Sequence, residues 1–391
     1  MASRNLCLAV LLGSFLAPLA SSQTPSAQQP STPDSPPPQR IDLAGTVEVP
    51  IALEGNLPIV DATVNGQGPF RFGIETGAGV VVISPELAAK LALKRTGGPD
   101  NIPEYHVDRL DIGGVVFHEF SVSAMRVAQG GIDGVLGLPL YRDLLMTIDY
   151  AHRRARFERG NLPAADGVTV LDLTHIGPFW GIPISVGGVK QRAVLDTRST
   201  GGFGFTPESA APLTFEGDLR VIGRARGAAI PETDVKAGRL AGDVTIGRYT
   251  FPKPTVSIRP LPPGFPTEAI VGTRVLSQFV LTLDQRNARL RLTRDGSDTI
   301  VLDEPAPAAP ARSTEYAGRY GTREIRLQEG KLVLQREGGP ALEMVATGPD
   351  TFTLKEVPQA QFQFLRDAAG AVTAVKILNR EGQWETVPRD R

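Results

Sequence analysis

Short apolar runs that end in turn residues recur along this chain, and two of them follow the same course. Near Val64 an apolar run ends in Asn65-Gly66, a hairpin signal, and the chain returns through Phe70, Phe72 and Ile74 to Glu75-Thr76-Gly77-Ala78. Later, Ile184-Ser185-Val186 ends in Gly187-Gly188, and the return through Ala193, Val194 and Leu195 reaches Asp196-Thr197-Arg198-Ser199. After each acidic motif the pattern predicts a short strand and a helix start. These are Ile83-Ser84-Pro85-Glu86 with Ala88-Ala89, and Phe205-Thr206-Pro207-Glu208 with Ala210-Ala211. Ser84 and Thr206 are N-cap residues with proline at the first helical position.

The parallel continues after an insertion of about a dozen residues. Leu110-Asp111-Ile112-Gly113 matches Val244-Thr245-Ile246-Gly247, and Val135-Leu136-Gly137 matches Ile270-Val271-Gly272. Twelve residues beyond each of those last glycines stands a further acid, Asp149 or Asp284, at the end of a strand-like apolar run. Local turn rules fix residue types but not long-range spacing, so landmarks repeated in order predict two homologous lobes.

Composition agrees with many short strands. Glycine (42) and proline (33) are abundant while aromatic residues make up 6%, which suits strands joined by tight turns. A chain of 391 residues exceeds one ordinary core and predicts two or three domains. A formal net charge of -1 gives no electrostatic footprint for nucleic acid, so no nucleic-acid partner is expected.

Residues 1–22 carry Arg4, an apolar run from Leu6 to Leu19 and the small residues Ala20, Ser21 and Ser22. They read as a cleavable signal peptide too short in its apolar core to span a bilayer; a retained anchor is the competing reading. A secreted or periplasmic protein with no retained membrane span is expected. The one cysteine, Cys7, lies in that signal, so the mature protein has no disulfide or thiol nucleophile. Residues 23–42 form a Pro/Ser/Gln-rich linker that cannot bury enough apolar surface to order itself. Proline and alanine mark a second linker at 301–313. The lobes are expected at 43–160 and 161–300.

The paired motifs resemble those of the aspartic protease family, in particular bacterial retropepsin-like proteins with two lobes in one chain. That resemblance covers about residues 43–298. It implies a mainly β fold of two tandem acid-protease-like barrels and a polypeptide or peptide substrate. It further implies an aspartic-type endopeptidase that activates water with an acidic dyad, Glu75 and Asp196, without metal or cofactor. Like charges this close share one proton, so one carboxyl acts as base toward water and its protonated partner polarises the peptide carbonyl. Thr76 and Thr197 are expected to tie the two loops together. Gly77, Gly137 and Gly272 let backbone approach closely.

Two departures fall at the dyad. Glu75 stands where the family has aspartate, and its extra methylene moves the carboxylate by about 1 Å, a displacement that can cost about a hundredfold in rate. Arg198 stands where the family has glycine, and a cation there favours two ionised carboxylates. The alternative that follows is an inactive protease-like clamp that binds peptide or envelope material.

Other chemistry is disfavoured. His106, His118, His152 and His175 show no zinc spacing, Gly201-Gly202-Phe203-Gly204 lacks the lysine of a phosphate loop, and no G-x-S-x-G elbow occurs. Residues 94–106 are expected to form a flap over the cleft, with Tyr105 lining it. Their counterpart, residues 214–238, holds the inserted dozen. Residues 314–391 alternate as short strands, among them Glu324-Ile325-Arg326-Leu327 and Lys331-Leu332-Val333-Leu334. They predict a small β domain resembling the one appended to secreted β-lactamase-like hydrolases.

Overall fold

The computed structural model describes residues 36–390, apart from 55–56, 128–131, 200, 228–229, 262–266, 303–312, 330, 349, 368–370 and 379–383. The expected signal peptide with Cys7, most of the first linker and most of the second lie outside the described residues. Arg40–Asp42, the end of the first linker, is already a strand and pairs with Val115–Ala124.

Each lobe is built on the hairpin that the turn residues predict. Leu57–Val64 pairs with Gln67–Ile74 around Asn65 (φ 49°) and Gly66 (φ 78°), the left-handed pair that a two-residue hairpin needs. Phe179–Val186 pairs with Val189–Asp196 around Gly187 (φ 56°) and Gly188 (φ 87°). Helices start where expected, at Pro85 and Pro207, with the Ser84 and Thr206 side chains accepting from the third residue onward.

In the first lobe, strand Gly134–Leu136 runs parallel to Gln67–Ile74 on one side and antiparallel to Val82–Ile83 on the other. In the second, Ala269–Gly272 lies parallel to Val189–Asp196 and antiparallel to Phe203–Phe205. A later segment is thus threaded between the strand before each acidic loop and the strand after it. That threading fixes the loop from both sides.

A third sheet of six strands joins the lobes. Leu145–Asp149 pairs with Val280–Asp284 antiparallel, with Thr147 opposite Thr282 at the centre and their hydroxyls 3.0 Å apart. The equivalent strands of the two lobes therefore meet about a local two-fold axis. Residues of both lobes share one continuous core that includes Phe72, Ile74, Leu136, Leu195, Val271 and Leu283.

The remaining strands form an eight-stranded meander in chain order, closed over Tyr320, Phe352 and Phe364. Val235 and Ala237, from the long hairpin Phe215–Gly227/Ile230–Leu240 of the second lobe, are part of this core, and Arg220 of the same hairpin pairs with Glu356. The inserted dozen residues lengthen that hairpin, which reaches the C-terminal sheet. The protein is mainly β: two lobes built alike and a small β domain.

Candidate active site

Glu75 follows the last residue of strand Gln67–Ile74, and Asp196 ends strand Val189–Asp196. Both are buried, at 6% and 7% exposure. The two loops are locked by four reciprocal bonds. The Thr76 amide donates to the Thr197 hydroxyl (3.0 Å) and the Thr197 amide to the Thr76 hydroxyl (3.2 Å). The hydroxyls in turn donate to the carbonyls of Leu195 and Ile74, each at 2.8 Å. Each threonine therefore spans the two lobes, and neither has a spare donor.

The supporting glycines have little room beside them. A Cβ on Gly137 would lie 2.0 Å from the Val80 carbonyl oxygen, and one on Gly272 2.4 Å from that of Gly201. A Cβ on Gly77 would lie 2.9 Å from both Cγ and Oδ1 of Asp196. Gly77 is thus the bare surface on which the Asp196 carboxylate rests.

The two acids differ in their surroundings. Asp196 Oδ1 accepts the amides of Arg198 (2.9 Å) and Ser199 (3.0 Å). Glu75 is held through its backbone: its amide donates to the Leu136 carbonyl (3.1 Å), and the Tyr141 hydroxyl donates to its carbonyl (3.2 Å). Its carboxylate lies 3.8 Å from Nη1 of Arg198. Burial pushes Glu75 up to about 7, with the Asp196 charge adding to the rise and Arg198 opposing it.

Tyr105, expected to line the cleft, pairs opposite Arg95 and packs partly buried against the main core. Asp149 and Asp284 cap turns: Asp149 accepts from the His152 amide, and Asp284 accepts from the amides of Leu162 and Asn287. His106, Asp108 and Glu119 come together across a hairpin, with potential ligand atoms within 4.8 Å of one another. No zinc spacing encodes that cluster, because strand pairing creates it.

Three residues near the dyad escaped the sequence reading. Tyr141 is the first. Tyr150 carries a buried hydroxyl with no partner among the described residues, and burial and the Asp196 charge push its pKa up. Arg259 lines a pocket together with Ser199 of the dyad loop. None belongs to a motif repeated between the two lobes, the signal that singled out Glu75 and Asp196.

Residues 60–140, within the first lobe, match the family described as aspartyl protease. Among solved structures, an aspartic proteinase from Irpex lacteus aligns at 14% identity over 64% of this chain and 97% of its own, with a TM-score of 0.40. A retropepsin-like aspartic protease from Rickettsia conorii aligns at 18% identity over 31% of this chain and 92% of its own, with a TM-score of 0.24. No curated protein matches. With its first lobe matching that family and an acidic motif in each lobe, the chain is similar to the pepsin-like and retropepsin-like aspartic proteases.

Proposed function

We propose that this protein is an aspartic-type endopeptidase of acidic pH, in which Asp196 acts as the base and Glu75 as its protonated partner. The observation that carries the reading is the asymmetry of the pair. Asp196 takes two backbone N–H groups, whereas Glu75 is buried with its pKa pushed up to about 7. Below that value Glu75 keeps a proton, the donor that general acid–base hydrolysis requires beside a base.

Water held between the two acids loses a proton to Asp196 while its oxygen attacks the peptide carbonyl carbon. Glu75 donates to the carbonyl oxygen, which becomes the second hydroxyl of a tetrahedral diol. When the C–N bond breaks, the proton held by Asp196 passes to the leaving amine and the diol proton returns to the dyad. Arg198 sets the upper pH limit, since once Glu75 ionises the guanidinium pairs with it and holds the acid in the wrong protonation state. On its signal-like first residues we place the protein in the periplasm or outside the cell.

A specific observation favours a second reading. The Glu75–Arg198 pair at 3.8 Å is what an inactive peptide-binding clamp would retain. Incubating the purified mature protein with an unfolded protein or a peptide library from about pH 4 to 8 separates the two. Cleavage below neutrality that is abolished in Asp196→Asn supports the peptidase. No cleavage at any pH, where a Glu75→Asp, Arg198→Gly double variant does cleave, rejects it in favour of the clamp.

A further inference from the structure

The two lobes place different chemistry at equivalent positions beside the dyad. In the first lobe Val82 and Ile83 run parallel to Ser123 and Ala124. In the second, Gly204 and Phe205 run parallel to Ser257 and Ile258. The next residue makes the same bond in both: the Met125 amide donates to the Ile83 carbonyl, and the Arg259 amide to the Phe205 carbonyl, each at 3.0 Å. Met125 and Arg259 are therefore counterparts about the local two-fold axis.

Their surroundings diverge. Met125 is 8% exposed and packs with Ala78, Val82 and Val135 in an apolar cluster. Arg259 is partly buried and lines a pocket with Ser199 and Ser257, walled by Phe203 and Ile270. Among the described residues no carboxylate lies within ion-pairing distance of its guanidinium, although it is close enough to Asp196 to feel that charge. Arginine stays charged where it is partly buried, so a partner for that charge is favoured. The pocket is small and has room for a polar group beside the guanidinium.

We infer that Arg259, in the pocket it lines with Ser199 and Ser257, forms a subsite for a substrate carboxylate, so that the cleft selects peptides with Asp or Glu next to the bond held at the dyad on the second-lobe side. This rests on the reading of the dyad cleft as a peptide site. The guanidinium supplies paired donors that match a carboxylate, and a partly desolvated cation gains from such a ligand. The apolar Met125 side offers no such partner, so the preference is one-sided.

The test compares peptides that differ only by Asp, Glu, Asn or Leu at each position flanking the scissile bond. It is run between about pH 5 and 6, where a substrate carboxylate is ionised while Glu75 is still protonated. The wild type is expected to show a kcat/KM about tenfold or more higher for the acidic peptide than for its Asn counterpart at one position. That ratio should collapse toward one in Arg259→Met, which copies the first lobe, and recover in part in Arg259→Lys. A merely structural Arg259 lowers both rates and leaves the ratio unchanged, which overturns the inference, as does a wild type that ignores the acid. If no peptide is cleaved, equilibrium binding of the same fluorescent peptides decides. An acid preference lost in Arg259→Met upholds the subsite while the peptidase reading fails, and equal binding of all peptides rejects the subsite.

Discussion

Replacing Glu75 by glutamine tests the central electrostatic claim without needing any enzymatic activity. Glutamine keeps the shape and hydrogen-bonding capacity of a protonated glutamate but cannot ionise. In the unfolded chain Glu75 titrates near 4.5, and in the folded protein burial pushes it up to about 7. The folded state therefore holds this proton more tightly, and the stability it contributes is complete below about pH 4.5 and lost as pH rises through about 7. At about 1.4 kcal/mol per pH unit, that gap amounts to about 3 kcal/mol. Unfolding of wild type and Glu75→Gln is compared by denaturant or calorimetry at about pH 4.5 and pH 8. The variant is expected to gain about 3 kcal/mol on the wild type between the two, which is several degrees in melting temperature for a unit of this size. A difference between the proteins that does not change with pH would mean Glu75 is an ordinary, ionised carboxylate. The role of general acid would then be lost to it.

Three further outcomes follow from the loop geometry. In Arg198→Gly the cation 3.8 Å from Glu75 is removed. Such a pair is worth about 4 kcal/mol at an effective dielectric of 20, and severalfold less because Arg198 keeps some solvent access. The alkaline limb of the kcat profile should therefore rise by about one pH unit, and an unmoved limb would show that the pair does not set it. Gly77→Ala drives a methyl into the Asp196 carboxylate, and kcat should fall about a hundredfold with the melting temperature little changed. Thr197→Val leaves the Thr76 amide and the Ile74 carbonyl buried without partners and should cost about 2 to 4 kcal/mol in urea unfolding. A loss below about 0.5 kcal/mol would show that the threonine lock does not hold the lobes.

Much of the fold was legible because its signals are local. Asn65-Gly66 and Gly187-Gly188 each demand left-handed backbone, and Ser84-Pro85 and Thr206-Pro207 each start a helix, so strands and helix starts fell where the residues put them. The meeting of the Thr76 and Thr197 loops was legible because the repeat places both at one point of two like lobes. The six-stranded sheet was not, since the pairing of Thr147 with Thr282 depends on how the lobes meet and no local pattern encodes it. Tyr105 fits a strand edge as well as a flap, and its packing against the core is a tertiary choice. Arg259 was hidden for a different reason. The repeat was read for what the lobes share, whereas the subsite lies in what they do not share: Ser123-Ala124-Met125 against Ser257-Ile258-Arg259.

An asymmetry between the lobes also links Glu75 with Arg198. The reciprocal Thr76 and Thr197 bonds make position 198 the counterpart of Gly77, so position 198 faces Glu75 as Gly77 faces Asp196. A Cβ at position 77 would overlap the Asp196 carboxylate. By the same symmetry, the Cβ that Arg198 does carry would crowd a carboxylate as short as that of aspartate at position 75. Glutamate reaches one methylene further and places its charge 3.8 Å from the guanidinium instead. The longer acid and the arginine are thus two parts of one local solution. Restoring aspartate alone creates the overlap, and restoring glycine alone leaves a long acid unbraced in a desolvated pocket. Only the double change recreates, at position 75, the environment that Asp196 already has.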